Sequence, residues 1–255
     1  MFFSMPGAIY NASIMKKRRL FPDWIYVILE GALFIALLVF QCLSIASGYR
    51  IYGQESPYYA YIGAFQISLT ALTFLFGLYV FLSHRKNPKT RFDLFLVYFL
   101  FILIADIFFS VTPIPLGGHI GFLSAYVLFF FLRKARWYEG IVALVGGAAA
   151  LIVFAVIGKL TPLIGVDCFL GALLICNVVA MWIRFGKNKE KHLLPACIAL
   201  SLLLLSDGSI ALRTFTSSFP ANHILAMITW PTYVIADVLL AFWYLDSKEK
   251  ESTSK

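Results

Sequence analysis

The sequence predicts an all-α, polytopic transmembrane bundle of eight helices with both termini in the cytoplasm, and three observations carry that prediction. Of 255 residues, 61% are hydrophobic and 13% charged, with 25 Phe and a mean hydropathy of +0.85. A water-soluble domain carries about 25% charged residues, and half that charge cannot solvate a 28.7 kDa globule. A soluble enzyme, a disordered chain and a collagen-like fibre are thereby excluded. Second, the apolar residues fall in runs of about 20, the length a ~30 Å hydrocarbon core requires of a helix rising ~1.5 Å per residue. Third, the cations gather in alternate loops.

The elements follow in order. The first span is expected over residues 24–47, after a basic segment (1–23) containing Lys16, Lys17, Arg18 and Arg19. It is longer than a signal-peptide h-region, and only Ser44-Ile45-Ala46 resembles a processing site. The second and third spans (60–82 and 92–111) flank Arg85, Lys86, Lys89 and Arg91. The fourth and fifth (118–132 and 140–157) are short, the fifth carries Gly146-Gly147, and Arg133, Lys134 and Arg136 join them. The sixth (160–183) precedes Arg184, Lys187, Lys189 and Lys191, the seventh covers 193–212, and the eighth (223–245) leads into a polar tail at 246–255 with Lys248, Lys250 and Lys255. The transmembrane domain is thus 24–245. Eighteen of the 21 Lys and Arg residues fall on one side, leaving Arg50, Lys159 and Arg213 for the other. Cytoplasmic loops are Lys/Arg-rich, which sets the orientation, and an odd number of helices would scramble the pattern. A net charge of +8 is therefore a matter of orientation, and no nucleic-acid partner is expected. Cys42, Cys168, Cys176 and Cys197 all lie in apolar runs without a C-x-x-C pair and read as small core residues.

The connecting loops are short, so sequential helices should pack as antiparallel hairpins with no soluble domain attached. A faint internal echo joins two of them. Leu103-Ile104-Ala105-Asp106 and Leu205-Ser206-Asp207 each place an Asp late in an apolar helix, and a His (His119, His223) opens the next helix each time.

A carboxylate at a helix centre costs about 2.5–3.5 kcal/mol on insertion scales, so intramembrane acids need a reason. Asp106 and Asp207 each lie fourteen residues from the cytoplasmic start of their helix, and Asp167 seven residues from the outer start of its own. At ~1.5 Å per residue all three reach nearly one level in the outer half of the membrane. His119, His223, Arg213, Lys159 and Thr112 fall at the same end, whereas Glu30 and Asp237 form a separate inner pair. Two carboxyls in a poorly hydrated site cannot both ionise cheaply, leaving one acid and one carboxylate near neutral pH. That combination suits acid-assisted cleavage of an ether-like bond through an oxocarbenium ion. The same acids could instead relay protons in a small transporter or serve a lipid-binding protein, or act structurally as caps and hydrogen-bond acceptors. There is no nucleophile elbow, H-E-x-x-H, P-loop or dinucleotide fingerprint, and neither a metal nor a cofactor is expected.

At these two acids the sequence resembles the YhhN family, whose characterised animal members are lysoplasmalogenases. The carrying segments are FILIADIFFS from Phe101, GGHIGFLSAYVLFFF from Gly117, LLLLSDGSIALRTF from Leu202 and ITWPTYVIADVLLA from Ile228. Asp106, Asp207, Phe215 and Tyr233 match the family's pattern in order. Ala105 stands where the family usually has Gly, Tyr126 and Phe129 where a His–Tyr pair is common, and Asp237 where Gln is frequent. The resemblance implies hydrolysis of the vinyl-ether bond of a lysoplasmalogen or related lysolipid, with Asp106 and Asp207 catalytic. Asp167, His119, His223, Arg213, Tyr126 and Tyr233 would support them or bind substrate. The expected partners are a lysophospholipid substrate and bilayer lipids, and the expected location is an integral membrane, a bacterial inner membrane in preference to a eukaryotic internal one.

Overall fold

Among residues 23–49, 55–84, 93–112, 114–215 and 219–253, which the computed structural model describes, eight α-helices follow one another. They are α1 (Asp23–Ala46), α2 (Tyr59–His84), α3 (Leu94–Val111), α4 (Pro115–Leu132), α5 (Trp137–Val156), α6 (Pro162–Asn188), α7 (Leu194–Phe215) and α8 (Phe219–Thr253), with one 3-10 turn, Lys191–Leu193, before α7. All eight are long and apolar enough to cross a membrane. Large apolar side chains face outward, Val156 at 80% and Trp137 at 77% exposure among them. In water such a surface would aggregate, and in a bilayer it is solvated by lipid tails. The chain is an integral, multi-pass membrane protein. The basic residues expected at 16–19 and 85–91, and Arg50, lie outside the described residues.

Capping chemistry explains where the helices depart from hydropathy. α4 begins three residues earlier than its apolar run because Pro115 occupies the first turn, where a missing N–H costs nothing. α5 begins at Trp137 because the Glu139 side chain reaches back to the Arg136 backbone N–H at 3.0 Å. α6 starts after Thr161, whose hydroxyl accepts from the Ile164 N–H at 3.2 Å, with Pro162 next in line. α8 continues past the apolar run into the polar tail as far as Thr253. Asp93, the N-cap of α3, helps hold that extension: Tyr244 and Lys248 of α8 meet its Oδ2 at 2.8 and 2.9 Å.

Packing arranges six helices in a closed ring: α2, α3, α4, α6, α7 and α8 contact one another in that order, and α8 returns to α2. α1 lies outside the ring against α2 and α8, and α5 lies outside chiefly against α6. The α3–α4 contact is close because Gly118 and Gly121 have no side chains. A Cβ on Gly121 would meet the Ala105 Cβ at 2.9 Å, and one on Gly118 would run into the Phe109 ring at 2.5 Å. The end of the ring nearest the Lys/Arg-rich loops is filled by aromatic rings. Phe95 stacks on Tyr244 at 4.6 Å between centroids, and Phe129 meets both Tyr98 and Trp243 at 5.8 Å.

Candidate active site

Above the aromatic plug the ring helices line a cavity of about 240 Å³. α3 supplies Asp106, α7 supplies Asp207, Ser206 and Arg213, α8 supplies Trp230 and Tyr233, and α2 supplies Ile62 and Gln66. Asp106 is 4% exposed, whereas Asp207 is half-buried. Each carboxylate is held by a tyrosine from another helix. Tyr233 of α8 donates to Asp106 Oδ2 at 2.8 Å, and Tyr126 of α4 donates to Asp207 Oδ2 at 2.7 Å. The pairing is crossed: the helix following Asp106 carries the partner of Asp207, and the helix following Asp207 carries the partner of Asp106. A hydrogen bond to a charged group contributes about 1.5–3 kcal/mol, enough to fix each carboxylate rotamer. The two acids lie within electrostatic reach of one another.

The supporting residues are polar positions on otherwise apolar helices. Asn177, fully buried on α6, donates to the backbone carbonyl of Tyr126 at 3.2 Å and accepts from Arg133 Nε at 2.7 Å, tying α4 to α6 behind the Asp207–Tyr126 pair. On α2, Gln66 accepts from Ser110 of α3 at 3.2 Å, and Thr70 lies beside Asp106. The sequence reading missed this face of α2. Its signal was there in the spacing of Gly63, Gln66, Thr70, Thr73 and Gly77, the small and polar residues of one helical stripe, all of them buried. Pro231 interrupts the backbone ladder of α8 just before Tyr233 by removing an N–H.

The other expected site residues separate into groups. Arg213 lines the cavity, with its Nε donating to Asn222 Oδ1 at 3.3 Å. His119 and Asp167 pair with each other through Nδ1 and Oδ1, and Asp167 lines the space between α5 and α6 rather than the cavity. Asp167 remains within electrostatic reach of Asp207. His223 is buried on α8 outside the cavity lining. Thr112 spends its hydroxyl on the Phe108 carbonyl at 2.8 Å, and Lys159 is exposed in the turn after α5. The side chain of Phe215 lies outside the described residues.

The expected separation of Glu30 and Asp237 from the outer acids needs correction. Glu30 does sit apart, accepting from Thr73 at 2.8 Å within a buried group completed by Tyr26. Asp237, however, is one turn from Tyr233 on the same face of α8, is buried, and reaches both Asp106 and Glu30 electrostatically. Depth along the helix axis separated these residues on paper. Azimuth around the axis brings Asp237 back beneath the Asp106–Tyr233 pair. Its Oδ1 and the Tyr98 hydroxyl are buried with no hydrogen-bond partner among the described residues, and such atoms call for a polar guest. No group of three His, Cys, Asp or Glu side chains among the described residues is arranged to hold a metal ion.

A family model described as the YhhN family matches residues 64–243, from the second helix to the eighth. Comparison with curated proteins and with solved structures gives no match. The matched stretch contains both aspartates, both tyrosines and the whole cavity lining except Tyr59, Ile62 and Gly63. The chain belongs to the YhhN family.

Proposed function

We propose that the protein is a membrane-embedded hydrolase that cleaves the vinyl-ether bond of a lysoplasmalogen or a closely related lysolipid, with both termini in the cytoplasm. The observation that carries this reading is the cavity in which two carboxylates from different helices converge, each oriented by its own tyrosine. Two carboxyls in one low-dielectric site share a proton more easily than they ionise together. The protonated member delivers its proton to the vinyl β-carbon, turning the C=C–O unit into an oxocarbenium ion. The remaining carboxylate takes a proton from water as the water oxygen bonds to the oxygen-bearing carbon of that ion, giving a hemiacetal. The hemiacetal then collapses to a fatty aldehyde, and the glycerol oxygen leaves as a hydroxyl. Positioned acid–base catalysis of this kind contributes about 10²–10⁴-fold.

The cavity is smaller than the ~300–1,000 Å³ typical of a site that swallows a whole ligand. It takes the reacting end of a single-chain amphiphile, while the chain extends into the bilayer. Arg213 at the cavity wall is the side chain suited to a phosphate head group. The pH–rate profile should be bell-shaped: activity is lost on the acid side as the carboxylate is protonated, and on the alkaline side as the acid is ionised. Purified protein should release aldehyde from a 1-alkenyl lysophospholipid and nothing from its 1-alkyl analogue. Release of fatty acid from the 1-acyl analogue instead would replace this chemistry with that of a lipase.

A second reading draws on one specific arrangement. Glu30, Asp237, Asp106, Asp207 and Asp167 form a file of acids in which each is within electrostatic reach of the next. A file of this kind suits proton relay. Proton flux into vesicles without product formation would favour that reading over hydrolysis.

A further inference from the structure

A large concavity lies outside the ring. Between α5 and α6 runs a groove of about 950 Å³ that shares no lining residue with the cavity and includes Asp167 on its wall. Its floor consists of small residues on the two helices, Gly146, Ala150, Gly171, Ala172, Cys176 and Ala180, and its flanks are apolar, with Val142, Phe154 and Ile183 among them. The groove is open at Gly171, where an added Cβ would meet nothing within 4 Å. From Arg136 to Phe154 it follows α5 for eighteen residues, about 27 Å at ~1.5 Å per residue, so it spans the membrane core.

One end of this apolar slot is strongly basic. Arg133, Lys134, Arg136, Arg184 and Lys187 line it, against a single acid, Glu139. Arg133 is buried at 7% exposure, donates through Nε to Asn177 and pairs through Nη1 with Glu139. Its Nη2 is buried with no hydrogen-bond partner among the described residues. Arg184 donates to the Arg133 carbonyl at 3.1 Å, bringing a second guanidinium to the same corner. Guanidinium groups recognise phosphate oxygens with paired N–H donors, and basic pockets between transmembrane helices bind anionic head groups.

We infer that this groove is a binding site for an anionic bilayer phospholipid, with its phosphate at the Arg133 corner and one acyl chain along the small-residue floor toward Gly146. A second copy of the chain is the less complementary occupant. A two-fold contact across this face, with its axis along the membrane normal, would set two basic clusters at one level against each other. The lipid site is independent of the hydrolase reading, since it shares none of the cavity residues.

Native mass spectrometry of the full chain in detergent tests this, with phosphatidylglycerol and phosphatidylcholine of identical chains as probes. The wild type should retain one phosphatidylglycerol at least about tenfold better than phosphatidylcholine. The double variant R136Q/K187Q removes two exposed cations, each contributing roughly fivefold, and should bring that preference down to about unity. G171L fills the groove and should lower occupancy by either lipid, while K159Q at the far end should change nothing. If G171L does not fold, R136Q/K187Q decides the matter alone, because both its side chains are exposed. Equal retention of the two lipids, or unchanged preference in R136Q/K187Q, would overturn the inference. So would a loss in K159Q equal to that in R136Q/K187Q, displacement of the lipid by inorganic phosphate alone, or a dimer that excludes lipid and is broken by G171L.

Discussion

The two halves of the bundle are alike inside the ring and unlike outside it. Advancing the ring by three places lays α2, α3 and α4 on α6, α7 and α8, and those three back on the first. Under that exchange Asp106 falls on Asp207 and Tyr126 on Tyr233, so the crossed hydrogen bonds map onto each other. Outside the ring, α1 packs on α2 and α8 and is pinned by the Glu30–Thr73–Tyr26 group, whereas α5 packs chiefly on α6 and leaves a long groove. The site needs one aspartate and one tyrosine from each half, so the ring is constrained in both. The outer helix is not, and in one half it seals the bundle while in the other it forms a wall facing lipid.

Substitutions break or sharpen this comparison, and the largest effect should come from the acids. D106N and D207N should each lower turnover by about 10³-fold while leaving thermal melting near wild type; full activity in either would break the equivalence of the halves. Y233F and Y126F come next, with expected losses of about 10- to 100-fold in kcat from removal of a hydrogen bond to a carboxylate. Y233F should be the more severe, because Asp106 is buried and Asp207 is half-buried. Steady-state kinetics of the two variants measures that asymmetry. Stability should distinguish a packed glycine from an open one. G121L forces a side chain against Ala105 and should destabilise by about 1–3 kcal/mol, while G171L should melt close to wild type. The contact with the outer helix α1 should affect turnover least. T73V removes the donor to buried Glu30 and should cost about 1–3 kcal/mol in melting experiments, with turnover per folded molecule unchanged.

Much of this was legible in the sequence. Eight runs of the right length gave eight helices, because backbone groups in lipid must be bonded within each segment. The acids Asp106 and Asp207 stood out because charge inside a membrane is costly. Their counterpart tyrosines were singled out by family resemblance, without the crossed pairing. The ring order was hidden, since hydropathy reports how long a helix is and not which way it faces. Where lipid and core are both apolar, the usual amphipathic stripe is erased, and only small or polar residues mark the inward face. The Gln66–Thr70–Thr73 stripe and Asn177 were such marks, and Asp237 was misread because depth was considered without azimuth. The groove between α5 and α6 could not be read from Gly146 and Gly171 alone, because a small residue permits close packing or open space equally well. Gly147 and Gly171, one meeting the Phe169 ring and the other nothing, show both outcomes within the same pair of helices.

The most direct test of the central claim is to run the reaction in D₂O with a 1-alkenyl lysophospholipid, trap the aldehyde at once by reduction, and count deuterium at C2 by mass spectrometry. Proton delivery to the vinyl β-carbon by the Asp106/Asp207 pair predicts one deuterium at C2 in the wild-type product and no product above background from D106N or D207N. Aldehyde without deuterium at C2, or wild-type rates in either variant, would contradict it.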